Sequence, residues 1–386
     1  MRVLLCPFGS PGYLYPAIAV GRELLARGDE VYLLGRPEAR RVAALAGLAT
    51  VDLQECGSPL ALHVGRWMVD GAQQYQAIRH AASAVGADAL VTSVLCLGAL
   101  LAAESADLPA IVLGFATHIW SYQSDGLREP DAIRSRCAVL AELLGHYARV
   151  RDLVGMSGSA APRGDRALIG AGLLLRGSPA LECAGAQLPE GLRHTGPCWW
   201  EPPASGSELA EIDAEIARIG KPVVYVHLGR TFGGDSLWPR LNAMFTGSGF
   251  QAIVEQGRST APEPAAGADV LLVRKPWLSP LVERAGLVLT NATSAPILGA
   301  LRAGRPQLVA PNGSEQPFLA DACVRSGTAA VLPTDPAACA AALGRAWGSA
   351  SLRARALQIG VGLSESDGAA DAAAVLHLVS SGRVYA

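Results

Sequence analysis

Charge is scarce in this sequence: 17 % of its 386 residues are Asp, Glu, Lys or Arg, and the formal net charge is −2. No basic stripe runs along it, which argues against a nucleic-acid partner. The eight cysteines are scattered. There is no CxxC and no short Cys/His spacing, so neither a zinc site nor a disulfide framework is indicated, and buried thiols in a reducing compartment are expected. Half of the residues are apolar and the mean hydropathy is +0.27. No apolar run nevertheless approaches the roughly 18 residues of a membrane-spanning helix. Met1 to Gly12 holds one basic residue and only a very short apolar run. That segment reads as a first strand rather than a signal peptide, and a cytoplasmic protein is expected. The chain is too long for one compact core, so two domains are expected.

What is present is a pattern that occurs twice. Arg2 to Phe8 (RVLLCPF) is a continuous apolar run of strand length, as in a parallel strand covered on both faces. Gly9-Ser10-Pro11-Gly12 is a turn, apolar residues at helical spacing follow from Ala17 to Leu25, Gly28 ends the helix, and Glu30 to Leu34 is a second strand. Pro222 to Leu228 (PVVYVHL) repeats this opening and runs into the turn Gly229-Arg230-Thr231. Between the two repeats, Leu192 to Gly206 is a Pro- and Gly-rich composition break that reads as a linker. The turn GSPG is not a GxGxxG, and Glu38 lies early for a ribose-binding acid, so a dinucleotide cofactor is not indicated.

The segment from Leu287 to Pro317 carries the most information. Val288 and Leu289 end an apolar strand. Thr290, Asn291, Thr293 and Ser294 are helix N-cap types. Pro296 suits the first turn, Ile297, Leu298 and Leu301 form a buried stripe, and Gly304 with Pro306 stops the helix before a strand from Gln307 to Ala310. Such a unit offers an anion a helix N-terminus. Glu315–Gln316 then sets an acceptor beside an amide, which suits polyol hydroxyls.

This strand–helix–strand–Glu-Gln arrangement resembles the donor-binding region of the UDP-glycosyltransferase superfamily, and in particular the bacterial natural-product glycosyltransferases with the GT-B fold. In that family the turn before the helix reads His-His-Gly-Gly or close to it. Here Asn291 takes the place of the second His, and Ala292 and Thr293 the places of the glycines. Gly9 to Pro16 (GSPGYLYP) is similar to the first loop of the vancomycin- and macrolide-type enzymes. That loop carries the catalytic base as a His or Asp, where this chain has Tyr13. The acid that pairs with that base is replaced by Ser93. A phenol, with an ordinary pKa of about 10, is a poor base at neutral pH.

The resemblance implies an α/β fold of two Rossmann-like domains facing a cleft, with the last helix (about 367–380) returning to the first domain. Residues 1–195 with 367–386 would bind the acceptor, and 208–366 the nucleotide sugar. Gly229, Arg230, Thr231, Asn291, Ala292, Thr293 and Ser294 would meet the donor diphosphate, Glu315 and Gln316 its sugar, and Trp277 its base. Loops after strands of an open parallel sheet face the ligand crevice. His118, in the loop ATHIWSYQSDG, is therefore the first candidate base and Asp125 the second, with Tyr13 a third that alternatively only lines the acceptor site. His63, Trp67, Tyr75, Trp120 and Tyr122 are candidate acceptor contacts, although His63, Trp67 and Tyr75 lie near one helical face and core packing is the alternative.

The expected activity is metal-independent, inverting transfer of a sugar from a UDP-, dTDP- or GDP-sugar, as co-substrate, to a small natural product, as in antibiotic biosynthesis. No other cofactor is expected, and a homodimer is a candidate assembly. Two other classes stay open. One is a non-catalytic relative that activates a partner enzyme, since positions 13, 93 and 291 are all replaced; the retained Glu315–Gln316 pair argues against it. The other is a sugar-nucleotide epimerase on the same fold, against which the aromatic acceptor set argues.

Overall fold

The computed structural model describes residues 1–35, 37–52, 71–115, 130–158, 164–182, 190–229, 234–255, 264–274, 277–313 and 315–382. The chain forms two compact units. The first comprises Met1–Gly177, Ala184–Trp200 and Ser366–Ala386, and the second Ser178–Cys183 and Glu201–Glu365.

The first unit runs β1 (Arg2–Cys6), α1 (Pro11–Ala26), β2 (Glu30–Gly35), α2 (Pro37–Ala46), β3 (Ala49–Asp52), α3 (Gly71–Val85), β4 (Ala89–Ser93), α4 (Leu97–Ser105), β5 (Ala110–Gly114), α5 (Pro130–Leu153), β6 (Gly172–Leu175) and β7 (Leu192–His194). All seven strands are parallel, in the order β3-β2-β1-β4-β5-β6-β7. Alternation of side chains puts Leu4 and Cys6 of β1 on the face covered by α3, α4 and α5. Val3 and Leu5 face α1 and a helix from the far end of the chain. A strand buried on both faces has little room for polar residues, which is why β1 and β5 read as apolar runs and β4 turns polar only at its carboxyl end, where the hydroxyls of Thr92 and Ser93 are hydrogen-bonded. The presumed linker begins later than its composition indicates. Leu192–His194 pairs with β6, Leu192 opposite Leu173, because a buried leucine at the sheet edge outweighs the Gly and Pro that follow.

The second unit repeats the plan: α6 (Gly206–Ile219), β8 (Val223–His227), α7 (Trp238–Phe245), β9 (Gln251–Glu255), β10 (Val270–Val273), α8 (Ser279–Glu283), β11 (Leu287–Thr290), α9 (Ser294–Arg302), β12 (Gln307–Val309), α10 (Gln316–Arg325), β13 (Ala329–Val331), α11 (Pro336–Gly348) and α12 (Ala350–Ser364). Its six parallel strands are ordered β10-β9-β8-β11-β12-β13. The helices α7 and α11 cover one face, and α6, α8 and α9 the other. In both sheets the winding reverses beside the first strand, between β1 and β4 and between β8 and β11. A doubly wound sheet opens a crevice at such a switch point, at the carboxyl ends of the strands.

The last helix, α13 (Gly368–Ser380), belongs to the first unit. Its Ala372, Ala373, Val375 and Leu376 pack into the layer that holds α1. Arg27 donates from Nη2 to the Ala370 carbonyl at 2.9 Å, and His377 Nε2 lies 2.6 Å from Asp29 Oδ2. Among the described residues no helix is long and apolar enough to cross a membrane. Replacing fully buried Leu376 with Ala should cost the first unit about 2–5 kcal/mol by leaving a cavity. Urea unfolding monitored by far-UV circular dichroism checks this; an unchanged midpoint would mean that α13 contributes nothing to the fold.

Candidate functional site

The second unit's switch point lies between the carboxyl ends of β8 and β11. Strand β8 runs out through His227 and Leu228 to Gly229, which has φ +82°. A Cβ at that residue would come within 2.3 Å of Asn291 Nδ2, so only glycine fits against the asparagine. Asn291 follows β11 and is 1 % exposed. Its Oδ1 accepts from Thr293 Oγ1 at 3.2 Å, while Nδ2 is buried and makes no hydrogen bond among the described residues. Ala292, fully buried, takes a left-handed φ of +65°, held by its N–H donating to Thr290 Oγ1 at 3.2 Å. A non-glycine residue there costs about 1–2 kcal/mol, the kind of strain that collects at functional turns.

Thr293 occupies the N-cap position of α9, but no side-chain cap forms. The N-cap side chains expected from sequence thus do not seal this helix end, since the Thr293 hydroxyl is spent on Asn291. The positive end of α9, including the Ser294 N–H, is left for an anion.

The pair after β12 behaves similarly. Gln316, at the first position of α10, is 0 % exposed, and its Oε1 accepts from the Asn312 N–H at 2.8 Å. Its Nε2 is buried and has no hydrogen-bond partner among the described residues. Glu315 precedes it, half-buried. Leaving a buried amide N–H unpaired costs about 1–3 kcal/mol, and these two groups lie at the carboxyl edge of the sheet, where a polar ligand can satisfy them.

Beside them the sheet carries a polar row. His227 pairs in register with Glu255 on β9 and with Thr290 on β11. Its Nδ1 lies 3.2 Å from Glu255 Oε2 and 3.2 Å from the Tyr225 hydroxyl. Glu255 was missed, yet a signal existed: it is the acid that closes the apolar run Ala252-Ile253-Val254.

Trp277 does not present a stacking face. It is 5 % exposed and packs with Tyr225, Val273 and Leu281 in the core, where a large indole fills the space under the sheet. Arg230 and Thr231 lie outside the described residues.

In the first unit, Tyr13 lies in the first turn of α1. Its N–H donates to the Ser10 carbonyl at 2.9 Å, and its ring meets the Phe8 ring edge-on at a centroid distance of 5.4 Å. Ser93, at the end of β4, accepts from the Phe8 N–H at 3.2 Å and lies 3.3 Å from Cys96 Sγ. The position where the resembled family has an acid therefore ties β4 to the β1 loop instead. Burial pushes the thiols of Cys6 and Cys96 up, so neither is a ready nucleophile. Tyr75 is buried among the α3–α5 side chains and its hydroxyl accepts from Arg79 Nη1 at 3.1 Å. The face of α3 that carries it is turned inward, so an acceptor wall is not what its ring forms. His63, Trp67, His118, Trp120, Tyr122 and Asp125 lie outside the described residues. No cluster of His, Cys, Asp and Glu among the described residues could hold a metal ion.

No family model and no curated protein matches this chain. Solved structures do. A glycosyltransferase of kitacinnamycin superposes with a TM-score of 0.75 at 19 % identity, covering 97 % of this chain and 98 % of that one. The calicheamicin glycosyltransferase gives 0.73 at 21 % identity, covering 100 % and 99 %. A spinosyn rhamnosyltransferase complexed with thymidine diphosphate gives 0.68 at 19 %, covering 98 % and 100 %. These matches show that the chain has the two-domain α/β fold of natural-product glycosyltransferases.

Gly229→Ala should destabilise the second unit by about 1–3 kcal/mol, through strain at positive φ and through the clash with Asn291. Thermal unfolding of the variant checks it; an unshifted Tm would show that the Gly229–Asn291 contact is not fixed.

Proposed function

We propose that the chain is a metal-independent glycosyltransferase that moves a sugar, with inversion, from a nucleoside diphosphate sugar to a small natural-product acceptor. The observation that carries this reading is the pair of buried, unpaired amide N–H groups, Asn291 Nδ2 and Gln316 Nε2, beside the uncapped N-terminus of α9. A diphosphate at the helix end would accept from Asn291, and a sugar hydroxyl from Gln316, with Glu315 accepting from another. The fold likeness to glycosyltransferases, one of them complexed with thymidine diphosphate, supports the same reading.

In the reaction, the acceptor nucleophile forms its bond to the anomeric carbon on the face opposite the diphosphate. The bond from that carbon to the diphosphate oxygen breaks, and the nucleophile's proton passes to a base. Negative charge grows on the departing diphosphate, where preorganised N–H groups stabilise it. Asn291 replaces one such donor, and Arg230 or Thr231 adds to it. His118 is the first candidate for the base and Asp125 the second. Ser93 cannot orient an imidazole as a carboxylate would, which favours an acceptor whose nucleophile is already acidic.

Calorimetric titration of TDP, UDP and GDP into the wild type and into Asn291→Ala tests this. One nucleotide should bind, about tenfold more weakly in the variant, for the loss of about 1.4 kcal/mol. Gln316→Ala should weaken the intact nucleotide sugar but not the free nucleoside diphosphate. Absence of binding by all three nucleotides would sink the proposal and favour a non-catalytic, partner-binding role.

A further inference from the structure

Two arginines of the first unit are buried to the same degree and are treated differently. Arg151, on α5, is 5 % exposed and meets the Glu104 carboxylate at 2.5 Å, where the Tyr147 hydroxyl also donates at 2.9 Å. Arg176, directly after β6, is 4 % exposed. Its hydrogen bonds go to main-chain carbonyls: Nε donates to Gly114 O at 3.0 Å and Nη2 to Gly12 O at 3.3 Å. Among the described residues no carboxylate faces it. The ionisable groups that act on it are the Cys198 thiol and the Tyr13 phenol, and burial pushes that thiol up to about 12. Asp367 and Asp371 of α13 act on Cys198 rather than on the guanidinium, and Asp367 is engaged in capping its own helix at the Ala370 N–H, 3.0 Å away.

A buried cation without a counter-charge is expensive, because two carbonyl dipoles do not replace an anion. Arg151 shows that this fold supplies a glutamate where an arginine is structural. Arg176 also sits where ligands bind in a doubly wound sheet. Gly114 ends β5, Arg176 follows β6, and Gly12 lies in the first turn of α1 after β1, so all three are at the carboxyl edge. The N-terminus of α1 adds positive potential from the same side, with no side-chain cap on Ser10. The partly buried Tyr13 ring, packed edge-on against the core residue Phe8, lies near the same guanidinium.

We propose that Arg176 binds the carboxylate of the acceptor, a small molecule with an aromatic or apolar body and one acid group. The single guanidinium, with no lysine or second arginine beside it among the described residues, matches one negative charge rather than the two of a phosphate. Its planar fork has Nη1 and the second Nη2 hydrogen left for a carboxylate's two oxygens. Only the acceptor role rests on the glycosyltransferase reading. The anion site does not, and it is tested without any sugar donor.

Benzoate and benzamide have the same shape and differ in charge. Thermal unfolding and calorimetry with each, at ionic strength fixed with sodium chloride, should show saturable stabilisation of the wild type by benzoate and none by benzamide. Arg176→Met should weaken benzoate at least tenfold. Arg176→Lys, which keeps the charge but not the fork, should fall between them. Inorganic phosphate should compete poorly. Equal responses to benzoate and benzamide in the wild type would overturn the proposal even if Arg176→Met fails to fold. Undiminished benzoate binding by a folded Arg176→Met, or binding of phosphate in place of benzoate, would overturn it too. Nucleoside diphosphate titration of the same variants reads the second unit separately, so failure of the donor site and failure of the acid site give different results.

Discussion

Everything polar in this protein is governed by one constraint: both sheets are parallel and covered by helices on both faces. A strand with two buried faces leaves no place along its length where an unpaired charge or amide is cheap. Chemistry is therefore pushed to the carboxyl ends, where the chain leaves the sheet and enters a helix. The second unit follows this closely. His227, Glu255, Thr290 and Asn291 all fall at or just beyond the last residue of their strands, and Val224, Val226, Ile253 and Leu289 behind them are fully buried.

The turn between β11 and α9 is tightly determined for its size. Gly229 leaves space for one side chain, Asn291 fills it, and Thr293 orients the amide by donating to its oxygen. Ala292 takes a backbone conformation better suited to glycine, secured by the Thr290 hydroxyl. The outcome is an amide whose N–H group is fixed, desolvated and unshared. A preorganised donor of this kind loses little entropy when it meets an anion, and it acts in a medium of low dielectric. The same logic applies to Gln316, held through its oxygen by the Asn312 N–H.

The first unit shows a complementary substitution. Where the resembled family has an acid, Ser93 instead fastens Phe8, and Phe8 carries the Tyr13 ring. This end of the sheet is rich in ring surface, with one buried guanidinium, Arg176, and no paired carboxylate at its centre.

Much of this was determined by sequence alone. Two apolar openings, RVLLCPF and PVVYVHL, fixed two doubly wound sheets, because a continuous apolar run followed by a Gly-rich turn and a helix has few other ways to bury itself. The Leu287–Pro317 segment located the strand, the helix and the Glu315–Gln316 pair from caps, breakers and periodicity. Tertiary structure decided the rest. Whether Thr293 caps its helix or serves Asn291, whether Trp277 and Tyr75 face a ligand or the core, and whether Leu192 opens a linker or closes a sheet all depend on neighbours distant in sequence. So does the status of Arg176. An arginine after an apolar strand looks like any surface charge until the fold buries it and places the Gly12 and Gly114 carbonyls against it.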